Sequence, residues 1–115
     1  MTDIQQDNIK DFAIAAFRYY GQRNNIDSPD KTVINAVERT MQHLNIENDI
    51  IALEGVRNTY CRLPQGKIRR GTITRSIIKA AYDMNVDERT LWRKLERSRK
   101  IFGEYYNSLL TENCQ

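Results

Sequence analysis

Gly71-Thr-Ile-Thr-Arg-Ser-Ile-Ile-Lys-Ala-Ala-Tyr-Asp-Met-Asn-Val-Asp-Glu-Arg-Thr-Leu-Trp-Arg-Lys-Leu95 reads as two short helices joined by a tight turn, the second studded with arginine. Ala81 is small at the point where two such helices must approach closely. Asn85 stands four positions later, where the turn needs a residue that tolerates positive φ. Val86 then fills the space under the turn, and Asp87 is placed to cap the next helix by accepting backbone N–H bonds. Leu91 and Leu95 supply the inward face of that helix. Arg89, Arg93 and Arg97 recur at i, i+4 and i+8 on another face and point outward. An apolar grip on one side and a guanidinium row on the other predict a helix-turn-helix at about residues 72–100. Such a second helix inserts into the major groove of double-stranded DNA.

Upstream, the apolar spacing predicts three more helices, so the chain reads as all-α with about five helices and a C-terminal helix-turn-helix. Over residues 3–20, Ile9, Phe12, Ala13, Ala16 and Tyr20 form one stripe, and Gly21 can end that helix. Residues 1–27 thus form an N-terminal helix and connector, and 28–115 a helical DNA-binding domain. Ser28-Pro29 supplies a hydroxyl cap followed by proline at the first helical position, opening a second helix. That helix runs to about Leu44 with Val33, Ile34, Val37, Met41 and Leu44 inward, and Asn45 is its expected stop. A third spans residues 47–60 through Ile50, Leu53, Val56 and Tyr60. The one long connector, residues 61–71, carries Lys67, Arg69 and Arg70. The fifth helix, from Asp87, extends to about Leu110 through Phe102, Tyr106 and Leu109. Ser98 is a gap in its stripe, and Gly103 marks a bend or a close contact.

At 115 residues the chain fits one domain able to bury a core without staples. It is 40% hydrophobic and 29% charged, too apolar for a disordered chain and without a membrane-length apolar run. The N-terminus, Met-Thr-Asp-Ile-Gln-Gln-Asp, has no basic patch or apolar signal core, so a cytoplasmic location is expected. Cys61, Cys114 and His43 are too few and too scattered for a structural zinc site, and no cofactor is expected. With no phosphate loop and no nucleophile–base pair at convincing spacing, the chain is not expected to be an enzyme. Residues 1–60 hold six basic and nine acidic side chains, and residues 61–115 hold twelve and six. A basic half of this kind is an electrostatic footprint for a polyanion.

Candidate contact residues follow from position. Arg89 and Arg93 open the second helix of the corner, where arginine pairs bidentately with guanine; the alternative is surface pairing with Glu88 or Glu96. Thr90 belongs to the same contact set. Trp92, one step from Leu91, either leans on a thymine methyl or sugar or covers the rim of the core. Lys94, Arg97 and Lys100 lie further along, where phosphate contact is expected. Thr72, Thr74 and Arg75 open the preceding helix, whose free N–H groups and hydroxyls suit an anion; Thr72 could equally be a plain cap. Arg69 and Arg70 extend the same phosphate contact or form a solvated basic loop. The Tyr19-Tyr20 and Tyr105-Tyr106 pairs admit aromatic packing of the first and last helices, within a subunit or between two in a homodimer.

Over residues 28–102 the chain resembles the C-terminal DNA-binding effector domain of the master response regulator that initiates sporulation in endospore-forming bacteria. The matching features are His43-Leu-Asn-Ile46, Ile50-Ile-Ala-Leu-Glu-Gly-Val-Arg57, Gly71-Thr-Ile-Thr-Arg75, and Asn85 with the segment from Arg89 to Lys100. The resemblance implies a base-contacting role for Arg93. Ile77-Ile78 replace the family's Tyr-Pro pair, and the spacing to Asn85 is one residue shorter. Glu96 stands where the family carries a second DNA-contacting arginine, which implies a different target sequence. Residues 1–27 are too short for a phosphoacceptor receiver domain, so phosphorylation control would come from another protein. Val86-Asp-Glu-Arg-Thr-Leu-Trp-Arg-Lys-Leu95 is also similar, more weakly, to the promoter-reading helices of sigma factors. Two functions are therefore expected in competition. One is a transcription regulator that binds duplex DNA, alone or with a partner regulator or RNA polymerase. The other is a helical adaptor that binds a partner regulator instead of DNA.

Overall fold

The computed structural model describes residues 6–113, with side chains over 9–112. Among these residues are five α-helices and no strand: α1 (Gln6–Gly21), α2 (Lys31–Ile46), α3 (Ile50–Asn58), α4 (Thr72–Met84) and α5 (Glu88–Asn113). Short 3-10 turns at Arg23–Asn25 and Tyr60–Arg62 follow α1 and α3. The chain is all-α, as its periodicity predicts. The first residues of the predicted 3–20 helix, and Cys114, lie outside the described residues.

Two of the corners are built the same way. At the end of α4, Asn85 is left-handed (φ 56°, ψ 46°), its N–H reaches the Tyr82 carbonyl, and the Val86 N–H reaches the Ala81 carbonyl at 3.0 Å. At the end of α2, Asn48 is left-handed (φ 61°), and the Asp49 N–H reaches the Leu44 carbonyl at 2.9 Å. This pair of backward bonds satisfies helix-end carbonyls, and asparagine tolerates the positive φ they require. An aspartate then opens the following helix each time. Asp49 accepts the Ala52 N–H at 3.2 Å, and Asp87 accepts the Arg89 N–H at 3.1 Å.

Several boundaries differ from the sequence expectation. Asp30, rather than Ser28, caps α2: its carboxylate accepts from both Thr32 and Val33, while Ser28 sits at φ 53° in the preceding turn. A carboxylate that satisfies two orphan N–H groups outcompetes a hydroxyl two residues earlier. The α2 stop falls at Asn48 instead of Asn45, because only there does the backbone turn left-handed. Consequently α3 is shorter than expected, and Ile50, placed inward by periodicity, is 49% exposed at its first position.

α5 is the spine, touching each of the other four helices. Its 26 residues span about 39 Å at the usual helical rise. Leu91, Leu95, Ser98 and Phe102 lie fully buried along its inner stripe. Ser98 is no gap: it is fully buried, and its hydroxyl donates to the Lys94 carbonyl at 2.8 Å. α3 crosses the spine so closely that a Cβ on Gly55 would sit 2.7 Å from the Leu91 Cδ1.

α1 finds its partners within the subunit. Phe17, absent from the expected stripe, is fully buried, stacked on Tyr60 at 5.9 Å and tilted against Phe102 at 5.6 Å. Phe12 packs on Tyr106 at 4.8 Å. Gly103 is a close contact, since a Cβ there would meet Ile9 at 3.1 Å. Tyr19 and Tyr105 serve polar ends instead: the Tyr19 hydroxyl accepts the Asp30 N–H at 2.6 Å, and the Tyr105 hydroxyl bonds His43 at 2.9 Å. Aromatic packing between first and last helices thus occurs inside one chain.

Where α1 ends, Gly21 passes so near the Tyr60–Arg62 turn that a Cβ would lie 1.9 Å from the Cys61 carbonyl oxygen. Backbone cannot yield as a side chain can. Gly21→Ala should therefore destabilise the fold by about 1–3 kcal/mol or more, read as a lowered urea midpoint. An unchanged midpoint would show that α1 does not close on that turn.

Candidate functional site

Burying the Leu91–Leu95 stripe turns the opposite side of α5 to solvent, because residues half a turn away cannot share a face. Arg89 and Arg93 stand there, exposed, in the first two turns. Among the described residues neither has a carboxylate within ion-pair distance, so the surface pairing weighed from sequence does not form. Glu96 is taken instead by Lys100 at 3.4 Å. Thr90 is half-buried, and Trp92 is half-buried against the core, which places it at the rim.

Lys94 and Arg97 depart from expectation. Their sequence position predicts phosphate contact, yet the structure directs both to acids on the α2–α3 turn. Lys94 Nζ lies 3.1 Å and Arg97 Nη1 3.0 Å from the same Asp49 oxygen. Arg97 also pairs with Glu47 through a very short contact, and Glu47 in turn meets His43 at 3.2 Å. Periodicity could not show this, because Asp49 is far away in sequence and its position depends on how α2–α3 crosses the spine.

The start of α4 also differs in detail. Gly71, left-handed at φ 83°, occupies the N-cap and offers no side chain, so Thr72 is the first helical residue rather than the cap. Thr72 is tied to its own helix, its hydroxyl accepting from Arg75 at 3.5 Å. Thr74 and Arg75 are exposed beside it. No side chain caps this first turn, which leaves a helix N-terminus and its partial positive charge facing outward.

The connector before α4 forms a second cationic element. Arg62, Lys67, Arg69 and Arg70 are exposed and, among the described residues, unpaired. No Asp or Glu occurs between Glu54 and Asp83, an interval holding seven Lys or Arg. The connector is pinned from α1. Arg18 donates from Nε to the Pro64 carbonyl at 3.0 Å and from Nη2 to the Gly66 carbonyl at 2.7 Å. Arg18 was not singled out by sequence, and nothing local marks it, since its partners are backbone atoms in a distant loop.

Arg99 was likewise missed. It is only 8% exposed, and its Nη1 donates to the Tyr60 hydroxyl at 2.8 Å. Burial raises the Tyr60 phenol above its ordinary pKa, and Arg99 opposes that shift. Its signal was available: Arg99 follows Leu91 and Leu95 at successive i+4 steps, a core register. Elsewhere, burial pushes the Cys61 thiol up to about 11 against the pull of Arg23 and Arg57, so it is a neutral thiol at physiological pH. Among the described residues, no group of three or more His, Cys, Asp or Glu side chains could hold a metal ion. No helix among them is long and apolar enough to cross a membrane.

Compared with known families, curated proteins and solved structures, the chain gives no significant match to a family model, a curated sequence or a fold.

The Arg97 guanidinium holds the Glu47 carboxyl below its ordinary value of 4.5, with His43 adding to the effect. A carboxyl depressed in the folded state contributes stability that is present above the unfolded value and lost as pH falls through the folded one. Glu47→Gln should thus lower the melting temperature at neutral pH, and the gap should close on acidification below the carboxylate range. A gap unchanged by acid would mean that the Glu47–Arg97 pair does not stabilise the fold.

Proposed function

We propose that this chain is a sequence-specific transcription regulator that binds double-stranded DNA, with α4 and α5 acting as a helix-turn-helix. One observation carries the reading. Arg89 and Arg93 stand exposed and unneutralised in the opening turns of a helix whose other side is locked into the core. Those turns of an inserted helix reach base edges, and each guanidinium can donate two bonds to guanine O6 and N7. Arg69, Arg70, Arg75 and Thr74, beside the open N-terminus of α4, supply phosphate contacts that set the register without reading sequence. Trp92 and Thr90 border the groove-facing surface. The resemblance to the sporulation effector domain supports the same assignment, with Arg93 as its base-reading arginine. In this reading the protein acts in the cytoplasm, has no enzymatic activity, needs no cofactor, and works as a homodimer or beside RNA polymerase.

A second reading is favoured by α4 itself. Ile78 and Tyr82, one turn apart on its outer face, are 43% and 85% exposed. Two large apolar side chains in water at that spacing suit contact with another protein, as in an adaptor that binds a partner regulator.

Salt titration separates the two. A duplex binder loses affinity steeply with salt, with a slope of about −0.9 per phosphate contacted, whereas an adaptor shows little duplex affinity even at low salt. On a duplex selected from a random pool, Arg93→Ala should cost about 1–3 kcal/mol and relax preference at one base pair. Arg69→Ala with Arg70→Ala should instead weaken all sequences alike and flatten the salt slope by about two units. If Arg93→Ala leaves binding to the selected site intact, α5 does not read bases in this register.

A further inference from the structure

The acids on the α2–α3 turn have a placement that capping alone does not require. Asn48 fixes the turn in its left-handed form, and Asp49 follows it directly. One Asp49 oxygen caps α3 through the Ala52 N–H, and the other accepts both Lys94 and Arg97 of α5. The Asp49 side chain is 10% exposed, so this site is largely desolvated. Glu47 completes the grip by pairing Arg97 with one oxygen and His43 with the other. His43 is held in turn by the Tyr105 hydroxyl of α5. The result is a set of carboxylate oxygens presented to two α5 cations as phosphate oxygens would be.

We propose that Glu47 and Asp49 form an internal phosphate mimic that withholds Lys94 and Arg97 from nucleic acid and lowers affinity for duplex of any sequence. The proposal rests on the DNA-binding reading above and concerns the regulation of that same surface. The physical basis is competition. A carboxylate fixed beside a cation is present at high effective concentration, whereas a phosphate must first displace it. Asp49 gains further from its desolvated site, where charge-assisted bonds are strong. Two acids cancel two cations on this flank of α5, while Arg89 and Arg93 one or two turns earlier remain uncancelled. On α5, the cations able to release counterions on binding are thereby confined to its first turns.

The test is the salt dependence of binding to a random-sequence duplex, followed by fluorescence anisotropy. Glu47→Gln with Asp49→Asn keeps a capping carbonyl oxygen at position 49, so α3 can still start; melting temperature reports the fold. Should the pair fail to fold, Glu47→Gln alone, at an exposed position, frees only one side of Arg97 and should give a smaller shift in the same direction. The expected result is tighter binding at low salt and a slope steeper by up to about 1.8 units, about 0.9 for each newly contacted phosphate. Adding Lys94→Gln and Arg97→Gln to the acid-neutralised chain, which restores the native net charge, should abolish the gain, because the gain comes from those two cations. Duplex binding by the acid-neutralised variant alone, with none by the native chain, would equally support the mimic. Equal affinity and slope in the native and acid-neutralised chains would overturn the mimic and leave the DNA-binding reading standing. So would a gain that persists after Lys94→Gln and Arg97→Gln are added to the acid-neutralised chain. No duplex binding by any variant at low salt would overturn both.

Discussion

The inner stripe of α5 is the constraint on which the molecule depends. Leu91, Leu95, Ser98 and Phe102 are buried along one side of a single helix that touches all the others. Burial of one large apolar side chain is worth about 1.5–3 kcal/mol, so rotating this helix by even part of a turn would forfeit several such terms. The rotation is further fixed by close approaches that leave little room for an added atom. Gly55 lies against Leu91 on one side, and Gly103 against Ile9 on another. With α5 locked about its axis, the exposure of Arg89 and Arg93 follows from helical geometry rather than from any interaction of their own.

The polar groups that enter this core are all accounted for. The Thr40 and Thr59 hydroxyls each donate to a carbonyl one turn back, as Ser98 does. Arg99 reaches inward to Tyr60, and among the described residues no buried side-chain nitrogen or oxygen lacks a partner. Buried polar groups left without partners would cost about 1–3 kcal/mol each, so satisfying them locally keeps a helical core of this size uniquely packed. The two asparagine corners serve the same end at the surface, closing helix carbonyls that tight turns would otherwise leave open.

Charge is distributed along the same lines. Cations on the flank of α5 that faces α2–α3 are consumed by Asp49 and Glu47, and Lys79 and Lys100 are paired along their own helices. Arg18 is spent on the connector carbonyls. In the C-terminal half, what remains open lies on the first turns of α5, on residues 62–70 and at Arg75, so the free positive charge there is more localised than the sequence count implies. A basic half of the chain becomes a basic surface only where no acid has been folded against it.

The α4–α5 corner was legible because its determinants are local: Ala81 for close approach, Asn85 for the left-handed turn, Asp87 for the cap, and leucines four apart for the inner face. Helix number and class were legible for the same reason. Less was legible where neighbouring signals compete over a few residues, as with Ser28 against Asp30 or Asn45 against Asn48. There the outcome depends on which backbone atoms the folded turn brings within bonding distance. Least legible were Phe17, Arg99, Arg18 and the fate of Lys94 and Arg97, whose partners are distant in sequence. The sequence by itself determined the helices and which side of α5 faces water, since helical periodicity is a property of neighbouring residues. Only the tertiary structure decided which outward cations stay free, because that depends on which acids and carbonyls the packing of distant helices carries to within 3–4 Å, the reach of an ion pair.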